Sequence, residues 1–250
     1  MHSCKTQRGK PHDDLPPRAA RFHRDTLPHV PAAHRGGTFH NGGTMNRYVN
    51  QFLGLRCAPD VLGTVGALGN KAAKEITESM AVIRRMRGIT LAAPMEYGLI
   101  DLCAGNALTS VLAVHMLPVK WASAVDKRER NRRWHKARRF QYHVDDIYDN
   151  MVINHVCAKY KDPIVIIAVH ACGQLAERVI ELYQNTPEAR HLVLMPCCEG
   201  GGKNRVPRCI RKRIGPYLAW CWHLNELAGG RLLVDQQVHS PKNGIILASK

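Results

Sequence analysis

The sequence predicts an α/β fold: a parallel sheet covered by helices on both faces, with an antiparallel hairpin at its C-terminal edge. Three observations carry this expectation. Residues 163–169, "PIVIIAV", are a nearly continuous β-branched run, as in a strand buried on both faces, and "QLAERVIELYQN" after them has apolar residues at helical spacing from Leu175 to Leu182. The same strand, turn and helix order occurs in "YGLIDLCAGNALTSVLAVHML", residues 97–117. The C-terminal "GRLLVDQQVHSPKNGIILASK" holds two apolar runs joined by Ser-Pro-Lys-Asn-Gly, a turn signal that suits a hairpin.

Taken in order, residues 1–44 are rich in Pro, His, Arg and Gly and poor in large aliphatics. Such a segment buries too little apolar surface to offset the entropy of ordering its backbone, so it reads as a disordered tail. The folded domain is expected over 45–250. "YVNQFLGL" is apolar enough to dock, and "NKAAKEITESMAVIRRMRGI" reads as a helix with Ala72, Ile76, Met80 and Ile83 along one face. After the first strand and its helix, "KWASAVDKRERNRRWHKARRF" reads as a strand followed by a basic helix, and "QYHVDDIYD" as a short third strand. "HLVLMPCCEGG" supplies a fifth strand after "PIVIIAV", and a helix is expected around "YLAWCWHLNEL". Five strands with helical crossovers, then the hairpin, give a Rossmann-like sheet.

The chain has 36 Lys and Arg against 20 Asp and Glu, a net charge of +16, which favours a polyanionic partner such as RNA or DNA. Its nine cysteines are odd in number and lack the spacing of a secreted scaffold, so a reducing, cytoplasmic setting is expected. No apolar stretch reaches the roughly 20 residues of a membrane span.

The chemistry gathers at strand ends, where open α/β sheets bind ligands. In "LIDLCAGNALTS" a strand ends at Asp101, a turn passes through Cys103, Gly105, Asn106 and Ala107, and a helix opens near Thr109. Gly105 lets a ligand approach the backbone, and the helix start offers unpaired N–H groups. Asp126 ends the second strand, where a carboxylate accepts hydrogen bonds from ribose hydroxyls. Asp145 and Asp146 end the third and suit an adenine amino group. A nicotinamide cofactor needs Gly-x-Gly-x-x-Gly for its pyrophosphate. Here one glycine follows a carboxylate, which repels pyrophosphate and suits a ligand with ammonium and sulfonium groups. This favours S-adenosyl-L-methionine.

With these residues the chain resembles the class I S-adenosylmethionine-dependent methyltransferases, whose sheet has seven strands and a terminal antiparallel hairpin. It is similar to a narrower group with His-x-Cys-Gly after strand four and Cys-Cys after strand five, here "HACG" (170–173) and "PCC" (196–198). "KEITE" before the first strand and "SPKN" before the last match that group as well. The group includes enzymes that 2′-O-methylate the tRNA acceptor stem. The resemblance covers residues 70–250. It implies that Asp101, Cys103, Gly105, Asn106 and Ala107 line the methionine side of the cofactor, that Asp126 holds the ribose, and that Asp146 with Asp145 faces the adenine. It places His170, Ala171 and Cys172 beside the reactive methyl. Family members carry more glycine where this chain has Cys103 and Ala107, and no Cys/His zinc module precedes the domain.

His170 is a candidate base, and Cys172 a candidate nucleophile. A metal site of Cys172, Cys197, Cys198 and His170 is the alternative; small cysteines packed in a buried sheet edge are the reading preferred, with no metal. "GGGKNRVPRCIRKR" (200–213) reads as a glycine-hinged basic loop on the ligand edge, with Lys203, Arg205, Arg208 and Arg211 to hold substrate phosphates. The function expected is methyl transfer to RNA, tRNA among the candidates. A methyltransferase fold that binds RNA or a protein partner without catalysis, and an enzyme for protein or a small molecule, stand as alternatives.

Overall fold

The computed structural model describes residues 46–149, 151–198 and 205–250. The proposed 1–44 tail and Lys203 lie outside them.

A seven-stranded sheet has the order β3-β2-β1-β4-β5-β7-β6. Its strands are β1 (Gly98–Leu102), β2 (Trp121–Asp126), β3 (Phe140–Val144), β4 (Ile164–Val169), β5 (Ala189–Met195), β6 (Arg231–Val234) and β7 (Gly244–Ser249). β1 to β5 run parallel, and β7 is antiparallel to both β5 and β6. This is the expected Rossmann-like sheet with its C-terminal hairpin.

The helices are α1 (Arg47–Leu53), α2 (Ala58–Val65), α3 (Ala72–Ala92), α4 (Leu108–Met116), α5 (Met151–Tyr160), α6 (Gln174–Asn185), α7 (Arg208–Ile214) and α8 (Pro216–Ala228). Successive strand residues point to opposite faces, so each strand feeds two cores. Leu99, Val165, Ile167 and Val193 pack with Met80, Ile83, Val111 and Leu112 of α3 and α4. Ile100, Ile166, Leu192 and Leu194 pack with Val179, Ile180, Trp220 and Leu224 of α6 and α8. Burying an aliphatic side chain of this kind contributes roughly 1.5–3 kcal/mol, so these two layers hold the sheet. In α3, Ile76, Met80 and Ile83 are buried as the periodicity predicts.

Two expectations are corrected. The basic stretch after β2 is not a helix: among its residues only Trp134–Lys136 form a short 3₁₀ turn. Its eight cations leave no apolar face, and Trp134 instead stacks on Tyr142 of β3, with ring centroids 4.7 Å apart and planes 4° apart. The basic segment after β5 is helical rather than a loop over Arg208–Ile214, following Pro207.

The register sets the functional edge. Asp101 pairs with Ala124 and Ile167, Asp126 with Val144, and Val169 with Met195, so the strands' carboxyl ends align. From β1 the chain winds out through β2 and β3, then returns to place β4 on the other side of β1. That reversal opens a crevice between the ends of β1 and β4.

Candidate active site

The crevice is a cavity of about 320 Å³ whose lining includes Asp101, Cys103, Gly105, Asn106, Glu78 and His170. Four of the residues expected on the methionine side therefore meet there, together with the candidate base. The turn after β1 is tightly wound: Cys103, Gly105 and Ala107 have φ of 58°, 56° and 54°. Cys103 and Ala107 thus adopt, at a cost of about 1 kcal/mol or more each, a backbone that glycine adopts freely. The thin glycine content changes the energy of this turn and not its shape. Asn106 fixes it from both ends: Oδ1 accepts from the Leu108 N–H at 3.2 Å, and Nδ2 donates to Glu75 Oε2 at 2.7 Å.

Asp101 is 2% exposed. Its Oδ2 accepts from the Ser110 hydroxyl, while Oδ1 is buried with no hydrogen-bond partner among the described residues. Burial pushes this carboxyl up to about 7, against the lowering effect of Ser110 and with a further push from the Asp126 charge. A buried acceptor left over at the crevice is the feature that a ligand ammonium would satisfy. Burial, with the charges of Asp126, Asp101 and Asp146, pushes the Cys103 thiol up to about 12, so it stays neutral.

Asp126 borders this turn. Its Oδ2 accepts from the Gly105 N–H and Oδ1 from the Arg128 N–H, each at 2.9 Å. Each oxygen keeps a second lone pair. Asp145 Oδ1 accepts from the Asp146 N–H at 2.7 Å, and Asp146 Oδ1 from the Tyr148 N–H at 3.1 Å, so both close turns beyond β3. Neither lines the cavity. Ala107 and Ala171 are fully buried in the two cores, and their side chains do not line it either.

His170 follows β4 with φ of 71°, a strained value for a non-glycine residue. Its Nε2 lies 2.6 Å from Glu78 Oε2, a carboxylate fully buried in α3. A neutral imidazole that donates from Nε2–H to this carboxylate carries its lone pair on Nδ1. Glu78 is a functional candidate that the sequence reading used only as part of "KEITE". Its signal was positional: a carboxylate on the buried side of a helix, flanked by Ile76 and Met80, needs a partner.

Cys172 is exposed and Cys197 and Cys198 are half-buried. The packing reading is therefore corrected: the ends of β4 and β5 bring these sulfurs to the rim of the sheet. Cys172 and Cys197 are joined sulfur to sulfur. His170 is not part of this sulfur cluster; its Nε2 faces Glu78 instead.

The basic residues redistribute. Arg205 pairs with Glu177 at 3.4 Å, Arg211 Nε donates to Val206 O at 3.2 Å, and Arg208 is exposed; none lines the crevice. Arg130 and Arg132, from the supposed basic helix, do line it. Their segment is pinned to α2 by the Arg133 N–H donating to Thr64 O at 3.1 Å, and Trp134 Nε1 donates to Arg130 O at 3.2 Å.

Residues 71–201, more than half of the chain, match the family model described as a methyltransferase domain. The chain belongs to this family. This methyltransferase domain uses S-adenosylmethionine as its methyl donor. No curated protein matches the chain. Among solved structures it is similar to a cyclopropane-fatty-acyl-phospholipid synthase-like protein from Lactobacillus casei, at 10% identity and TM-score 0.45, over 77% of this chain and 80% of the other. It is similar to magnesium protoporphyrin IX methyltransferase from Synechocystis with bound S-adenosylhomocysteine, at 11% and 0.44, over 82% and 95%. A third is M. capricolum TrmK in complex with S-adenosylhomocysteine, at 10% and 0.38, over 66% and 67%. With TM-scores below 0.5, these likenesses add nothing to the strand order and the family match.

Proposed function

We propose that this methyltransferase domain methylates RNA at the crevice between Asp101 and His170. The observation that carries the reading is the shared lining: Arg130 and Arg132 face the same cavity as Asp101, Gly105 and His170. Two guanidinium groups at the rim of the transfer site suit an acceptor with a phosphate backbone, and the net charge of +16 favours a polyanion over the whole surface.

S-adenosylmethionine, when bound, supplies a methyl group activated by its sulfonium. Asp101 Oδ1 accepts the ammonium of its amino-acid end. The second lone pairs of Asp126 hold the ribose hydroxyls, and Asp146, with Asp145, faces the adenine. The protein's part is then to position the acceptor in line and to take its proton. His170 Nδ1 would take the proton that the acceptor atom gives up, and the Glu78 carboxylate would stabilise the imidazolium. Cys172 is not given the nucleophile's role, because it does not line the crevice and its sulfur clusters with those of Cys197 and Cys198. Lys203, Arg205, Arg208 and Arg211 serve as a second, outer set of phosphate contacts. Residues 1–44 are proposed as a tail that this chemistry does not need, and the cytoplasm, where RNA is abundant, as the site of action.

The test is transfer of labelled methyl from S-adenosylmethionine to total cellular RNA and total protein in parallel. Label in RNA that is lost in His170→Ala supports the reading. Label in protein alone, or in small molecules alone, ends the RNA assignment.

A further inference from the structure

The cluster of Cys172, Cys197 and Cys198 belongs to none of the steps above. Each offers one sulfur, and the three sulfurs lie within 4.8 Å of one another. A Cys172–Cys197 bond accounts for two of them and leaves the third unexplained. The backbone is arranged around that third sulfur: the Gly173 N–H points at Cys198 Sγ, at 3.2 Å. Peptide N–H donors aimed at sulfur stabilise the thiolate form. Gly173 reaches this orientation with φ of 56°, and the turn before it begins with the left-handed His170.

Both loops are anchored independently of their sulfurs. The His170 N–H donates to Met195 O at 2.9 Å, which extends the β4–β5 pairing up to the cluster. The Tyr217 hydroxyl donates to Pro196 O at 3.0 Å and accepts from the Gly244 N–H at 3.0 Å, which ties the 196–198 loop to α8 and β7. Two loops anchored in this way, which bring three sulfurs together, form a ligand set for a thiophilic cation. Tetrahedral zinc, with metal–sulfur bonds of about 2.3 Å, holds its sulfurs about 3.8 Å apart, a spacing inside the 4.8 Å limit here and open to Cys172 and Cys197 once their bond is reduced.

We propose that in the reduced chain Cys172, Cys197 and Cys198 bind one zinc-class cation through three thiolates, with the fourth coordination position left to water. Loading requires the dithiol form. A thiol reductant delivers two electrons and two protons to the Cys172–Cys197 bond and is itself oxidised to a disulfide. The cation then displaces the protons of the three thiols to solvent. Bound there, it fixes the loop that carries His170 against the end of β5.

The experiment is a cobalt(II) titration of the full-length reduced chain, read by sulfur-to-cobalt charge transfer and tetrahedral d–d bands, with zinc as competitor. One equivalent should bind with thiolate bands that zinc removes. Cys198→Ala should weaken binding at least tenfold and still bind S-adenosylhomocysteine, whereas Cys209→Ser, on exposed α7, should bind cobalt like the parent. Alkylation with and without zinc, mapped by peptide mass spectrometry, keeps the test readable if a variant does not fold: zinc should shield Cys172, Cys197 and Cys198 in the parent chain. Absence of thiolate bands in fully reduced protein overturns the proposal. So does undiminished binding in Cys198→Ala, or shielding of a different set of cysteines.

Discussion

Asp101 gives the account its most quantitative prediction. Burial holds its carboxyl at about 7, so near neutral pH about half of the unliganded molecules carry a proton there. A cofactor ammonium pairs with the ionised form. Binding below pH 7 must therefore expel that proton, and each pH unit further down costs about 1.4 kcal/mol, a factor of ten. S-adenosylhomocysteine should bind roughly tenfold more weakly at pH 6 than at pH 8, releasing close to one proton at the lower pH. The stability of the unliganded chain should move the other way. Its folded value lies above the unfolded one, so this group's contribution is complete below the ordinary carboxylate value and is lost as pH rises through about 7. Asp101→Asn keeps the shape and removes the charge. Loss of a charge-assisted hydrogen bond of about 2 kcal/mol should weaken binding roughly thirtyfold and abolish the pH dependence. Calorimetric titration in two buffers of different ionisation enthalpy counts the protons. An affinity flat from pH 6 to pH 8 with no proton exchanged, or an Asp101→Asn profile like the parent's, would refute the reasoning.

Three further outcomes follow from other contacts. Glu78→Gln should lower the methyl-transfer rate by about a hundredfold, at the low end of general-base effects, while cofactor binding by thermal shift changes little. An unchanged rate would remove Glu78 from the mechanism. Gly98→Ala should destabilise the fold by roughly 1–3 kcal/mol, because a Cβ there overlaps the Trp121 ring, itself stacked on Tyr160 and held by Asp162; chemical denaturation measures it. Arg130→Ala with Arg132→Ala should weaken RNA binding and reduce the slope of log affinity against log salt by about two, with cofactor affinity kept, whereas equal effects from Arg208→Ala with Arg211→Ala would favour the outer set.

Much of this was legible in the sequence for identifiable reasons. β4 and β1 announced themselves because strands buried on both faces must be apolar throughout, and Asp101 and Asp126 stood out as charges at the ends of such runs. The last hairpin was marked by its Pro-Lys-Asn-Gly turn. Other features depend on tertiary contacts that no local pattern encodes. The stretch 127–139 has the charge density of a solvated helix, yet stacking of Trp134 on Tyr142 and the Arg133–Thr64 hydrogen bond hold it so that Arg130 and Arg132 line the cavity. The left-handed turns at Cys103 and Ala107 are invisible because neither residue prefers them, so the strain must be offset by surrounding packing. The Glu78–His170 pair joins residues 92 positions apart and appears only when α3 crosses the end of β4.

The central claim is that the crevice between β1 and β4 holds the cofactor by its amino-acid end. The direct measurement is a crystal structure of the full-length chain with S-adenosylhomocysteine. The account predicts the ligand's ammonium within hydrogen-bond distance of Asp101 Oδ1, its ribose at Asp126, and its sulfur on the His170 side of the cavity. A ligand seated elsewhere, or one bound in the crevice with its amino-acid end away from Asp101, would contradict it.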